Sequence, residues 1–335
     1  SATLAERGGN WVSVAWGSFR DLSKRAYARY EPSINDLMDD VQYLLLDEEY
    51  DVENADIRER LHPYEQAGQS HVPAIYRRLF TPNPLDIPDF YIPRPACEER
   101  ICQAIRDWDI GRPNTILVHG DRGIGKRSMM RHLVEGELRD FAPRITRMIV
   151  DENASNEMAI AGSIGSRFSE TTPRTFAELR RMIRALPQKP IILIENGEKL
   201  FTRTREGIEL CRNFLAMIDS TADRALWIIL MGTPAATLLE TAIELSDYFT
   251  HSVFIEPFTF EQIREMIERR HRVSGFQADF ERARPRVYEW VISPIESSEI
   301  VRDPKSAFFE RLGDVSHGNP LLGLEYWLES IEVTG

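Results

Sequence analysis

Short apolar runs alternate with amphipathic segments through the middle of the chain. The runs TILVH, PIILI and ALWIILM have the length of strands and show no polar face, which is typical of strands buried on both sides. The segments between them carry apolar residues at helical spacing, as in TFAELRRMIRAL. This alternation predicts an α/β fold with a parallel sheet covered by helices on both faces. The predicted strands are 115–119, 145–150, 190–194, 225–231 and 252–255, and the predicted helices are 96–108, 126–138, 175–186 and 207–220.

The two ends of the chain have a different pattern. Apolar residues recur at helical spacing in Ser33 to Leu46 and in Leu61 to Tyr76, before a proline-rich stretch from Phe80 to Pro95 that disfavours helix. The C-terminal part is again helical and opens with a capping signal at Thr259 and Gln262. We therefore predict a helical N-terminal extension and linker at 1–90, an α/β domain at 91–256 and a helical lid at 257–335.

A glycine-rich loop lies between the first strand of the sheet and the helix that follows. Residues 120–126 read GDRGIGK, which is the G-x-x-x-x-G-K pattern of a phosphate-binding loop in the required strand–loop–helix context. Its glycines let backbone N–H groups surround phosphate oxygens, the helix N-terminus favours an anion, and the lysine reaches the β- and γ-phosphates. The alternative is a glycine-rich turn that binds nothing. The predicted ATP- or ADP-binding residues here are Gly120, Asp121, Arg122, Gly123, Ile124, Gly125, Lys126, Arg127 and Ser128.

The residues available for a metal site depart from the usual pattern of a phosphate-binding loop. Arg127 stands where a Ser or Thr hydroxyl normally holds Mg²⁺, and Ser128 would face about 100° away on the helix unless the loop shifts. The run IILIE ends in Glu195, and an apolar strand that ends in a carboxylate is the Walker B arrangement. The sequence therefore predicts Ser128 and Glu195 as the Mg²⁺ ligands.

Two further residues at strand ends are candidates for catalysis together with Glu195. Asn196 stands where many ATPases carry the Glu that polarises the attacking water, and an amide cannot accept a proton. We therefore expect slow hydrolysis unless Glu198 or another acid serves. Thr233, directly after ALWIILMG, is predicted to sense the γ-phosphate, although a turn built by its Gly and Pro neighbours would explain the same residues.

The order of these motifs resembles the AAA+ superfamily of P-loop ATPases, and within it the STAND and the origin-recognition or transposition-regulator branches. Pro93, Arg94 and Glu98 resemble the nucleotide-base box of that family, and 317–321 (HGNPL) resembles the STAND box whose proline packs near adenine. The resemblance covers about 91–330 and implies nucleotide contacts for Arg94 and Pro320. The chain is also similar to bacterial ATP-binding domains that are built into longer proteins, which implies a bacterial source.

The chain departs from the family where catalysis is concerned. AAA+ rings place an arginine finger before the lid, but no arginine lies between Arg224 and Arg264. With Arg127 and Asn196 this predicts a nucleotide-dependent switch with weak or partner-dependent ATP hydrolysis, which self-associates or binds a protein partner. One alternative is a DNA-associated regulator of the transposition or replication type. The other is a structural module with a catalytically dead nucleotide site.

The net charge of −12 argues against a surface that binds nucleic acid as a whole. A local basic face would still be compatible with that charge, and one arginine-rich run offers it: Arg264, Arg269, Arg270, Arg272, Arg282, Arg284 and Arg286. We favour a solvated helix face with salt bridges for this run. A nucleic-acid partner is therefore an alternative that the composition does not favour.

Other features limit the setting of the protein. The three cysteines lack the spacing of a zinc site or a disulfide framework, which indicates a reducing, cytoplasmic environment. No apolar run approaches the roughly 18 to 20 residues of a membrane helix, and no signal peptide is visible. Because the chain begins at Ser1, we expect it to be a piece of a longer protein with further domains. Trp227, Trp290 and Trp327 are predicted to pack in a core or an interface.

Replacing Lys126 by Ala is expected to abolish nucleotide binding and leave the fold intact. The glycines of the loop stay in place, but the phosphates lose their cation. Calorimetric titration with ATP measures the loss, and unchanged ATP affinity in the variant would contradict the phosphate-loop assignment.

Overall fold

The computed structural model describes residues 11–14, 73–80, 88–150, 156–280 and 303–334. The chain divides into two compact units, and it passes from one to the other at 92–93 and again at 256–257. The first, called the α/β unit, contains the described residues between 93 and 256. The second, called the terminal unit, contains the described residues before 93 and after 256.

The structure contains the following elements in chain order. The strands are β1 (Trp11–Val14), β2 (Thr115–Gly120), β3 (Ile145–Ile149), β4 (Ile191–Glu195), β5 (Leu226–Gly232), β6 (His251–Phe254), β7 (Gln277–Asp279) and β8 (Ile331–Thr334). The α-helices are α1 (Ala74–Leu79), α2 (Pro95–Asp109), α3 (Lys126–Glu135), α4 (Glu157–Gly165), α5 (Phe176–Ala185), α6 (Arg205–Asp219), α7 (Thr233–Ile243), α8 (Phe260–Ser274), α9 (Pro304–Ser316) and α10 (Pro320–Ser330).

The α/β unit is built on a five-stranded sheet in the order β3-β4-β5-β2-β6, and every neighbouring pair in it is parallel. All of β4 and all but the last residue of β5 are buried, whereas the edge strands β3 and β6 are partly exposed. Central parallel strands need apolar side chains on both faces, and the runs IILIE and LWIILMG supply them. The predicted α/β fold with a parallel sheet is confirmed, and each of its five strands lies within one residue of its expected bounds.

Amphipathic helices cover the sheet through apolar side chains at helical spacing. In α5 the buried positions are Phe176, Leu179 and Ile183, which lie on one face. Trp227 of β5 is fully buried, and its indole Nε1 donates to the Thr221 hydroxyl over 3.0 Å. Trp227 therefore packs in the core, as expected, and its polar atom has a partner.

Two helices of the α/β unit, α4 and α7, were not predicted. α4 (sequence EMAIAGSIG) is apolar around most of its circumference and carries two glycines, so it has no amphipathic pattern to detect. α7 begins directly after β5 at Thr233, and Pro234 stands in its first turn, where proline is well accepted. The Gly-Thr-Pro sequence there opens a helix instead of closing a turn.

The terminal unit combines helices with a small sheet. α8, α9 and α10 pack together with α1 around aromatic side chains, where the Trp327 indole donates to the Tyr76 hydroxyl over 3.1 Å. Trp327 is 1% exposed, in agreement with the predicted packing role. The three-stranded sheet has the order β7-β1-β8, with β1 parallel to β7 and antiparallel to β8. These short strands were not predicted, because their partners lie at opposite ends of the chain.

Several predictions fall outside the residues that the structure describes. They are the helix at 33–46, most of the helix at 61–76, Trp290 and the arginines at 282, 284 and 286. In the described part of the chain, no helix combines the length and the apolar character that crossing a membrane requires. The three cysteines are free thiols.

Replacing Thr259 by Ala is expected to destabilise the terminal unit by about 1 kcal/mol. The Thr259 hydroxyl accepts from the Gln262 backbone N–H over 3.3 Å, and the Gln262 side chain accepts from the Thr259 N–H over 3.0 Å, which forms a capping box at the start of α8. Urea unfolding followed by circular dichroism measures the change. Thr259→Ser keeps the acceptor, so a Ser variant as unstable as the Ala variant would contradict the capping role.

Candidate functional site

The carboxyl ends of β2, β4 and β5 meet at one edge of the sheet. Parallel register pairs Gly120 at the end of β2 with Gly232 at the end of β5, and Glu195 ends β4 on the other side of β5. Ligands of open α/β sheets bind at this edge, outside the carboxyl ends of the strands. The sheet therefore brings the loop at 120–126, the residues at 195–196 and Thr233 to one edge, although they are far apart in sequence.

The loop at 120–126 depends on glycine at specific positions. Gly123 and Gly125 have φ of 83° and 101°, in the left-handed region that other L-residues avoid. Gly125 is also the N-terminal cap of α3, and a Cβ added there would lie 3.3 Å from Nη1 of Arg94. The loop thus brings its backbone to the N-terminus of α3 in a conformation that only glycine adopts without strain.

Arg94 stabilises this loop through a hydrogen bond to its backbone. It is 8% exposed, and its Nη2 donates to the carbonyl of Ile124 over 2.7 Å. The backbone N–H of Arg94 donates to Oε1 of Glu98 over 2.6 Å. The Arg94–Glu98 pair, assigned to base binding by resemblance, therefore holds the loop in shape, and its predicted contact with the base stays a prediction.

Lys126, the first residue of α3, contacts the carbonyls of its own loop. Its Nζ donates to the oxygen of Gly120 over 2.6 Å and to that of Asp121 over 3.0 Å. Burial lowers the pKa of Lys126 to about 8, a shift that the carboxylates of Glu198 and Asp121 partly oppose and the Arg127 charge reinforces. An anion at the loop would stabilise the charged form of this amine.

Glu195 forms the centre of a charged cluster that also contains Arg127 and Arg147. The Glu195 side chain is 2% exposed. Its Oε2 lies 2.6 Å from Nε of Arg127, and its Oε1 accepts from Nε of Arg147 on β3. Both oxygens of this buried carboxylate are thus paired with guanidinium groups.

The contacts of this cluster do not fit the prediction that Ser128 and Glu195 bind Mg²⁺. Mg²⁺ binds through oxygen ligands in near-octahedral geometry, and each Glu195 oxygen already lies against a guanidinium group. The position expected to supply the hydroxyl ligand carries one of those cations, Arg127. Within the described ranges, no group of three or more His, Cys, Asp and Glu side chains is arranged to hold a metal.

Asn196 connects the cluster to β3. It has a φ of 58°, which Asn tolerates better than most residues. Its Oδ1 accepts from Nη2 of Arg127 over 2.8 Å, and its Nδ2 donates to the carbonyl of Val150 over 3.0 Å. Both ends of the amide are therefore engaged in holding the strand ends, and the predicted catalytic role of Asn196 stays a prediction.

The end of β5 contributes a buried hydroxyl. Oγ1 of Thr233 is buried and has no hydrogen-bond partner among the residues that the structure describes. A buried polar group without a partner is costly, so this hydroxyl is suited to bind a polar ligand. Next to it, the backbone N–H of Gly232 donates to Oε2 of Glu198 over 3.2 Å. This arrangement is compatible with the predicted sensor role, which stays a prediction.

Pro320 lies in the terminal unit, where local packing accounts for the residues around it. Pro320 begins α10, and Oδ1 of Asn319 caps that helix by accepting from the Leu321 N–H over 3.0 Å. Gly318 has a φ of 66° and its carbonyl accepts from the Phe258 N–H over 2.7 Å. The HGNPL box therefore forms a helix start, and the predicted adenine contact of Pro320 is not tested by these contacts.

Two of the described arginines of α8 pair with glutamates of the same helix. Arg264 pairs with Glu268 over 2.8 Å, and Arg269 pairs with Glu265. Arg270 donates to the carbonyl of Met266 over 2.9 Å, and burial lowers its pKa to about 10. Arg264 and Arg269 therefore show the charge pairing that we favoured from the sequence, whereas burial separates Arg270 from that pattern.

Sequence reasoning missed Arg147 altogether. It lies in the strand ITRMI, where a charged residue interrupts an apolar run. That interruption was the one available signal, because the contact with Glu195 joins residues from different strands. The ion pair between Arg127 and Glu195 was missed for a similar reason, because Arg127 lies on helix α3 and Glu195 on strand β4.

The sequence matches no protein-family model and no curated protein at a significant level. Solved structures similar to it include the ORC1 protein of Aeropyrum pernix in complex with DNA, at 18% identity and a TM-score of 0.44, covering 58% of this chain and 53% of that one. Drosophila ORC bound to DNA is similar at 11% identity and a TM-score of 0.48, covering 82% and 65%. RuvB, a Holliday junction branch migration motor of Thermotoga maritima, is similar at 14% identity and a TM-score of 0.39, covering 70% and 60%. The chain spans about half the length of the Aeropyrum pernix ORC1 and Pyrobaculum aerophilum Cdc6p proteins.

Replacing Gly125 by Ala is expected to destabilise the α/β unit more than the same change at Gly111. Both glycines have a φ near +100°, so the left-handed backbone lowers the stability of both variants by about 1 to 2 kcal/mol. A Cβ at 111 meets nothing within 4 Å, whereas a Cβ at 125 approaches Arg94. Denaturant unfolding of the two variants measures the difference, and equal destabilisation would contradict a packed loop.

Proposed function

We propose that the α/β unit is an AAA+-type domain that binds ATP or ADP through the loop at 120–126. The observation that carries the proposal is the partly buried Lys126 amine, held at the N-terminus of α3 inside a loop whose glycines adopt left-handed conformations. A helix N-terminus and inward backbone N–H groups favour a phosphate, and the lysine adds a cation. Asp121, Arg122 and Gly123 would contribute their backbone N–H groups, and Ile124, whose N–H donates to the Asp121 carbonyl over 3.2 Å, would hold the loop between them.

We assign to this domain the role of a nucleotide-dependent switch with weak or partner-dependent hydrolysis. Water attack on a γ-phosphate needs a proton acceptor in position. Each Glu195 oxygen forms an ion pair with an arginine, and the Asn196 amide is engaged by Arg127 and Val150. Glu198 remains as an exposed carboxylate at this edge of the sheet, bonded to the Gly232 N–H. These contacts support binding more than turnover.

The division of the chain into two compact units supports the switch. A ligand shifts a conformational equilibrium only if it binds one state better than another, so a switch needs a second part that responds. The terminal unit, together with a protein partner or a second copy of the chain, would be that part, and Arg94 and Pro320 would contact the nucleotide base. The pairing of the α8 arginines with glutamates weighs against a nucleic-acid partner at that helix.

Calorimetric titration of the purified chain with ATP and with ADP, followed by a phosphate-release assay, tests the proposal. We expect micromolar or tighter binding with little turnover. Lys126→Ala should lose binding, and Lys189→Ala should keep it, because Lys189 precedes β4 at the opposite edge of the sheet. Absence of binding in the unaltered chain would refute the nucleotide site, and fast turnover would refute the switch.

The affinity for ATP is expected to fall as the pH rises above about 8. The Lys126 amine has its pKa lowered to about 8, so it is charged below that pH and neutral above it, and only the charged form attracts phosphate. The dissociation constant should rise by up to about tenfold per pH unit beyond this point. Titrations between about pH 7 and about pH 9.5 measure the profile.

Lys126→Arg is the control for this pH dependence, since a guanidinium stays charged throughout the range. Its ATP affinity should vary little with pH. The same decline in both proteins would show that another group is responsible.

A further inference from the structure

The cluster of Glu195 with Arg127 and Arg147 occupies the position where the motif order places a divalent cation. Arg127 directly follows the lysine of the loop, so it stands in the first turn of α3, and its Nε lies 2.6 Å from Oε2 of Glu195. Arg147 reaches the other oxygen from β3. Two guanidinium groups and one carboxylate leave one net positive charge, which is the charge that Mg²⁺ and one carboxylate would leave.

We propose that Arg127 substitutes for the divalent cation, so that this site binds ATP or ADP without Mg²⁺. The proposal rests on the proposed nucleotide site and defines how that site neutralises phosphate charge. A guanidinium is a permanent cation with a planar fork of donors that matches phosphate oxygens. It therefore supplies the charge and the hydrogen bonds that a bridging metal ion would otherwise provide.

The geometry leaves Arg127 able to bind phosphate while it is held by Glu195. A guanidinium has five N–H donors. Nε is paired with Glu195 and Nη2 donates to Asn196, and these are the partners of Arg127 within the described residues. Three N–H groups remain available, and the Arg127 side chain is 44% exposed at the edge of the sheet.

Arg147 and Asn196 support this arrangement. Arg147 pairs with the second oxygen of Glu195. The single negative charge of the carboxylate is therefore shared between two arginines, and part of the positive charge of Arg127 remains for a phosphate. Oδ1 of Asn196 accepts a hydrogen bond from Nη2 of Arg127, and Nδ2 of Asn196 donates to the Val150 carbonyl. The guanidinium is thus oriented by two neighbours before a ligand arrives, which lowers the entropic cost of binding.

The first experiment measures ATP and ADP affinity of the unaltered chain by calorimetry in Mg²⁺ and in EDTA. We expect dissociation constants that agree within about threefold, a difference smaller than the tenfold step that 1.4 kcal/mol represents. Affinity that requires Mg²⁺ would overturn the inference and leave the nucleotide site standing. Absence of binding in both buffers would refute the nucleotide site itself, so the two failures are distinguishable.

The second experiment exchanges the residue at 127. Arg127→Ser restores the hydroxyl of the motif and frees one oxygen of Glu195, so its affinity in EDTA should fall by at least about tenfold and recover in Mg²⁺. Arg127→Lys keeps a cation and should keep most of the affinity in EDTA. Arg131→Ser is the matched control, since Arg131 lies one turn further along α3 and pairs with Glu135. Circular dichroism checks that each variant is folded.

Two outcomes of the second experiment would overturn the inference. One is an Arg127→Ser variant that binds in EDTA as tightly as the unaltered chain, which would show that Arg127 does not contact phosphate. The other is an Arg127→Ser variant that binds more tightly in EDTA, which would show that Arg127 blocks the site.

Discussion

A buried carboxylate must be paired, and Glu195 is buried at the end of β4. The residues around the carboxyl ends of the strands are arranged to meet this need. The partners of Glu195 come from two other elements, Arg127 from α3 and Arg147 from β3. Asn196 extends the connection to the residue after β3. Removing Glu195 would leave both guanidinium groups without their shared carboxylate, so these residues act as a unit. The position of α3, and with it the glycine-rich loop, follows from this pairing and from the packing of the sheet.

The loop itself depends on backbone conformation more than on side chains. Left-handed φ angles at Gly123 and Gly125 direct the chain into the N-terminus of α3, and Arg94 supports the loop through the Ile124 carbonyl. Burial of Lys126 costs free energy, as its lowered pKa of about 8 indicates. The loop carbonyls and nearby carboxylates offset part of that cost. A site that keeps a partly buried cation beside a helix N-terminus is already arranged for an anion.

The same contacts support the proposal that binding and turnover separate in this site. The acids that the motif order would assign to metal binding and water activation are held by arginines or replaced by an amide. Positive charge remains available to phosphate, whereas a proton acceptor does not stand at the expected position. Such a site suits a domain whose output is a change of state on binding a ligand. In the proposed switch, the nucleotide would contribute binding energy to that change without being consumed.

The sequence by itself determined the α/β fold, the five strands of its sheet and the phosphate-loop candidate. Buried parallel strands are continuous apolar runs, and the loop is a local pattern, so both are visible along the chain. The sequence did not reveal α4, which lacks amphipathic spacing, or the sheet of β1, β7 and β8, in which Trp11 pairs with Thr334.

Only the tertiary structure decided the character of the site. Arg127 looked like the loss of a metal ligand, and Arg147 carried no signal beyond a charge within a strand. Their meeting at Glu195 depends on the register of β3 beside β4 and on the position of α3, because residues from separate elements become neighbours only when the sheet forms. Local patterns follow from the spacing of residues along the chain, whereas the pairing of charges between separate elements follows from tertiary packing.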